Sequence, residues 1–221
     1  IDVCDKDHGR TLLHIAARRG YDVIIDLLIE RGSRAIDLAD NYGVTPLLAA
    51  IRSGKTTTAI KLLQLGSRAV DVHGGLCWTP MHAAMYCPDS DILVKTLMRF
   101  GCTTFDLTTR DGATPLHCAA GVGCLKSVEM LVRLGSQSLS CRNDSGRTPF
   151  YEAFTNGCMA TARFLYIIEG LQHPAGPLSR ITERDRWMTR RSVYFHQSLS
   201  ARLFYMNDRL RHLRQNLKNK H

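Results

Sequence analysis

The chain has 221 residues, 44% of them hydrophobic and 22% charged, with a net charge of +9. That length holds one or two domains with a sizeable core, and no run approaches the ~20 apolar residues of a membrane-spanning helix. The opening Ile1-Asp2-Val3-Cys4-Asp5 lacks the basic-then-apolar form of a secretory leader, and eight cysteines without a Cys-x-x-Cys pair read as reduced thiols rather than a disulfide framework. The expected compartment is the cytoplasm, with the nucleus as the alternative.

A tetrapeptide returns along the chain. Thr11-Leu12-Leu13-His14 opens the first unit (near 1–34) and Thr45-Pro46-Leu47-Leu48 the second (near 35–68). Thr79-Pro80-Met81-His82, Thr114-Pro115-Leu116-His117 and Thr148-Pro149-Phe150-Tyr151 open the units near 69–103, 104–137 and 138–170. The threonines are 34, 34, 35 and 34 residues apart, the mark of stacked supersecondary units. Within each unit Thr can cap a helix and the following Pro suits its first turn. Small pairs such as Ala16-Ala17 and Ala83-Ala84 let neighbouring helices approach closely. Gly20, Gly54, Gly123 and Gly157 break the first helix, and a second follows with apolar residues at helical spacing, as in Val23, Ile24, Leu27 and Leu28. Gly32, Gly66, Gly101 and Gly135 close it with a left-handed cap.

The third unit departs from this scheme. Cys77 stands in its turn where the others have Gly9, Gly43, Gly112 and Gly146, and Pro88-Asp89-Ser90-Asp91 separates its helices. An irregular turn and a re-capped outer helix are expected there.

These residues resemble the ankyrin repeat family, whose pattern is Thr-Pro-Leu-His-x-Ala-Ala with Gly closing each helix. Leu12, Leu48 and Tyr151 are the departures within the tetrapeptide itself. The resemblance covers about residues 1–170. It implies an all-α ankyrin-repeat solenoid of five helix–turn–helix units with short β-turn or hairpin loops, followed by a basic C-terminal helix. It also implies that His14, His82 and His117 hydrogen-bond within and between loops. Because the chain begins at Ile1 and enters a repeat at once, a segment of a longer chain is one reading.

Catalytic and cofactor motifs fail on context. Gly54-Lys55-Thr56 ends a relaxed P-loop pattern, but a P-loop follows a strand and is glycine-rich, whereas residues 49–53 belong to a repeat's first helix. Cys77, His82 and Cys87, or His117, Cys118 and Cys124, lack zinc-ligand spacing. There is no Gly-x-Ser-x-Gly elbow and no His-Glu-x-x-His helix. The expectation is a protein without cofactor or metal that is not an enzyme.

The repeat register frees certain positions from structural duty. Turn positions before each Thr project along one edge, and two positions late in each first helix line the concave side that the family uses for partners. On that reading the partner-binding residues are Arg10, Arg18, Arg19, Tyr42, Arg52, Leu76, Trp78, Tyr86, Arg110 and Arg147. They are rich in Arg and aromatic residues, as interface hot spots are, and lean toward an acidic partner surface. Trp78 is singled out because the framework does not require a tryptophan there; packing onto the altered turn at Cys77 is its competing role.

Residues 171–179 read as a Pro/Gly linker. Residues 1–179 carry 18 Lys/Arg against 17 Asp/Glu, while 180–221 carry 11 against 3. In that basic tail Leu199, Leu203, Met206, Leu210, Leu213 and Leu217 form a heptad-like seam. It could cap the last repeat or bind a helix, calmodulin or an anionic surface, with nucleic acid less favoured. The expected function is a non-enzymatic adaptor that binds a protein on the concave face of repeats 1–3. The alternatives are a tail-driven nucleic-acid-, membrane- or calmodulin-binding factor, and the cytosolic ankyrin segment of a larger chain.

Overall fold

The structure, a computed structural model, describes residues 2–172. Most of the linker stretch, and the whole basic tail with its seam, lie outside the described residues. Ten α-helices form five pairs among them: α1 (Leu12–Arg19) with α2 (Asp22–Glu30), α3 (Pro46–Arg52) with α4 (Thr56–Gln64), and α5 (Pro80–Ala84) with α6 (Ser90–Arg99). α7 (Pro115–Val122) pairs with α8 (Leu125–Arg133), and α9 (Pro149–Thr155) is followed by α10 (Met159–Gln172). The chain divides into two compact units, Ile1–Ala162 and Arg163–His221. Of the second, only the continuation of α10 to Gln172 is described.

Each inner helix starts where the repeating Thr holds extended backbone, with ψ of 169° at Thr11 and 163° at Thr45. The hydroxyls of Thr45, Thr79, Thr114 and Thr148 accept the amide three residues on, satisfying one of the helix's orphan donors. Gly20 (φ 77°) and Gly123 (φ 82°) end α1 and α7 in the left-handed region, where a side chain would be strained. The third unit has no glycine at that point, and α5 runs for only five residues before an irregular turn. α6 begins at Ser90, so Ser90 and Asp91 belong to the helix and not to the connection, and the Asp89 carboxylate at its N-cap accepts no capping hydrogen bond.

Inner helices pack on inner helices, α1 on α3 and α7 on α9, through fully buried Leu13, Ala17, Leu47, Ala50, Leu116 and Ala120. Burying a leucine of this kind contributes roughly 1.5–3 kcal/mol, and alanine at the crossing lets the backbones approach. The second helix of the first unit behaves differently. Ile25 is its fully buried residue, while Val23, Ile24 and Leu27 of the sequence-read stripe are 72%, 44% and 48% exposed. In α4 the corresponding Thr58 and Lys61 instead bond back to Asp22 of α2, so this face is one that a preceding helix pair covers.

Three sets of hydrogen bonds organise the stack, the first two between units and the third closing each of the first four units on itself. A backbone ladder runs through the turns, with the amides of Asn41, Gly75, Arg110 and Asp144 donating to the carbonyls of His8, Tyr42, Leu76 and Asp111. Buried histidines form the second set: Nε2 of His14, His82 and His117 donates to the carbonyls of Val44, Ala113 and Arg147. The third is a row of aspartates. Asp2, Asp37, Asp71 and Asp106 accept from Ser33, Ser67, Thr103 and Ser136 hydroxyls about thirty residues later.

Candidate partner-binding face

The altered turn of the third unit keeps its place in the ladder although its sequence departs. Leu76 (φ 65°) and Cys77 (φ 58°) both occupy the left-handed region that the other units assign to glycine. That conformation puts Leu76 at the tip, 61% exposed, in line with Tyr42 of the turn before it at 54%. Tyr42 in turn lies 5.9 Å, ring to ring, from His8 of the first turn. Three successive turns thus present a row of ring and apolar side chains.

Trp78 follows directly and lies along α5. Its ring centroid is 5.4 Å from Tyr86 and 6.2 Å from His82, so the indole sits against both rings. Trp78 and Tyr86 form the walls of a cleft of about 200 Å³ with Ile51, Arg52, Ala83 and Cys87. Tyr86 is exposed at the mouth, while its phenol end faces the buried Cys118 thiol of the next repeat. Burial of that end pushes the Tyr86 phenol well above its ordinary range, with Cys118 reinforcing the shift. Burial likewise raises the Cys87 and Cys118 thiols to about 11, which keeps both protonated at neutral pH. The Cys87 thiol donates to the Ile51 carbonyl, 3.1 Å away, and so belongs to the cleft's floor.

The arginines of the sequence-read face divide into two groups. Arg18, Arg19, Arg52 and Arg110 are exposed. Arg10 and Arg147, by contrast, are held by their own repeats. Arg10 Nε lies 3.3 Å from the buried Asp40 carboxylate, which also accepts the Tyr42 and Val44 amides and so shapes the second turn. Arg147 reaches Glu152 at 3.5 Å. Asp40 and Cys118 thus contribute to the face from behind, and nothing in their local sequence marked them. The aspartate row was visible as a second period, at residues 2, 37, 71 and 106, that sequence reading passed over.

The chemical motifs take structural places. Ala49 to Arg52 lie in α3, and the Lys55 side chain packs beside Gly20. His82 uses both ring nitrogens, Nδ1 toward Thr79 and Nε2 toward the Ala113 carbonyl. Among the described residues no three of His, Cys, Asp and Glu converge as a metal site.

The family model described as "Ankyrin repeats (3 copies)" matches residues 1–73, 59–140 and 81–173. The chain belongs to the ankyrin repeat family. A search of curated proteins finds no match. The repeats of this family are generally protein–protein interaction modules. Within that setting, the cleft at Trp78 lies between the second and third repeats of this ankyrin chain.

Proposed function

We propose that the chain is a non-enzymatic adaptor whose first three repeats seat a protein partner, with Trp78 and Tyr86 as its anchors. The observation that carries this reading is the cleft itself. Two aromatic rings and the Arg52 side chain line it, in residue types that dominate binding hot spots. The exposed Arg18, Arg19, Arg52 and Arg110 favour an acidic partner surface. Arg10 and Arg147 act by holding the turns that carry Tyr42 and frame the fifth repeat. The cytoplasm is the proposed compartment, with the nucleus as the alternative.

Affinity capture from lysate, followed by titration of the retained protein, tests this. The pair Trp78→Ala and Tyr86→Ala should weaken binding by at least about 2 kcal/mol while the helical circular dichroism signal is kept. Unchanged affinity in a folded double variant would remove the cleft from recognition.

A second reading rests on charge. Residues 180–221 carry 11 Lys/Arg against 3 Asp/Glu, so the tail itself could bind nucleic acid, calmodulin or an anionic membrane while the repeats recruit. Partners held through phosphate contacts would be lost steeply between about 50 and 200 mM salt, and partners anchored on aromatic rings would not.

A further inference from the structure

The outer helices carry a second surface, remote in register from the cleft at Trp78. Between α6 and α8 runs a groove of about 790 Å³. Its floor is apolar, made by the half-buried side chains of Met98, Met130 and Leu134. Methionine is unbranched and polarisable, and surfaces that must accept a partner's side chains use it. The rims are basic: Lys95 and Arg99 stand on α6, Lys126 and Arg133 on α8, all exposed. Asp91 and Glu129 are the carboxylates in the lining, so the groove holds an excess of two positive charges within repeats that are otherwise nearly neutral.

The groove is open for a definable reason. Between α2 and α4 the gap is bridged, with Lys61 Nζ 2.5 Å from the Asp26 carboxylate and 3.2 Å from the Asp22 carbonyl. Between α6 and α8 the Ser127 hydroxyl donates to Ser90 at the N-terminal ends of the helices, but among the described residues no ion pair crosses the gap. Among the described residues, none of Lys95, Arg99, Lys126 and Arg133 makes an ion pair. Four cations therefore flank a methionine-lined floor without anionic partners of their own.

We infer that this groove docks an acidic amphipathic helix of a protein partner. Asp91 to Arg99 and Lys126 to Leu134 each span two helical turns, which at 1.5 Å per residue makes a trough about 12 Å long. Apolar side chains of the docked helix at i, i+3 and i+4 would rest on Met98, Met130 and Leu134. Carboxylates on either side of that stripe would meet the four cations. The inference stands apart from the cleft at Trp78, which shares no residue with the groove.

The test uses the full chain and a fluorescein-labelled helical peptide of about four turns, with leucine in one stripe and glutamate elsewhere. Two controls accompany it: the same composition scrambled, and the same stripe with lysine for glutamate. The acidic amphipathic peptide should bind saturably, and both controls at least tenfold more weakly. Lys126→Glu with Arg133→Glu should weaken it tenfold or more, Met130→Asp should do likewise, and Trp78→Ala should leave it unchanged. Equal binding of the scrambled peptide would overturn the inference, as would indifference to the charge reversal. Loss of binding with Trp78→Ala would move the peptide to that residue's cleft. Binding of phosphatidylserine vesicles through Lys126 and Arg133, without peptide binding, would replace the helix by a membrane surface.

Discussion

At the scale of single residues, three buried imidazoles do the work of mortar. Nδ1 of His14, His82 and His117 accepts the amide of its own Thr, and Nε2–H donates to the next turn. That pattern requires the neutral ring, since a protonated Nδ1 would face an N–H. Burial lowers all three pKa values, that of His82 to about 4, against the partial opposition of the carbonyl each one meets. The unfolded chain, with histidine near 6.5, therefore binds protons first as pH falls. Their stabilisation is complete above pH ~6.5 and is lost progressively below it, down to about pH 4 for His82. Urea unfolding should show a falling midpoint between pH 7 and 5, above the range where ordinary carboxylates titrate. His82→Leu, which copies Leu48 of the second repeat, should flatten part of that slope. A midpoint constant over this interval would contradict the neutral-ring assignment.

Among elements, the third repeat is the irregular one, and its turn shows how. Cys77 is exposed and adopts φ 58°, where the corresponding glycines have φ between 70° and 74°. A non-glycine residue there costs on the order of 1 kcal/mol. Cys77→Gly should therefore raise the thermal midpoint, by roughly 2–4 °C for a chain of this size. A lowered midpoint would mean that the thiol contributes more than its backbone costs. The same turn aims Leu76 and leads into Trp78, so the strain coincides with the most aromatic part of the candidate face.

Across the whole repeat array, stability comes from each unit covering its neighbour. Leu62 and Leu63 of α4 are buried, whereas Ile24 and Leu27 of α2 remain exposed. Leu62→Ala should cost about 2–5 kcal/mol, as core truncations do. Ile24→Lys with Leu27→Lys should change the unfolding free energy by no more than about 0.5 kcal/mol each, as surface substitutions do. Denaturant titrations of the two variants side by side decide this, and a large loss from the lysine pair would mean that the face is covered in solution.

What the sequence determined by itself was everything encoded within a few residues. Thr before Pro set the helix starts, glycine at fixed offsets set the left-handed ends, and the interval between threonines set the unit. Those features rest on local hydrogen bonds and backbone sterics, so they survive reading in one dimension. The candidate face was read as a register, at positions that include Trp78, Tyr86 and Arg52. Tertiary structure alone decided the contacts between repeats, because partners such as Arg10 and Asp40 lie some thirty residues apart. It tied Arg10 to Asp40, turned the Tyr86 hydroxyl onto Cys118, and left Lys95 and Lys126 flanking an open groove. It also exposed Ile24 and Leu27, whose periodicity matched a buried stripe, since periodicity marks an apolar face but not whether a neighbour covers it.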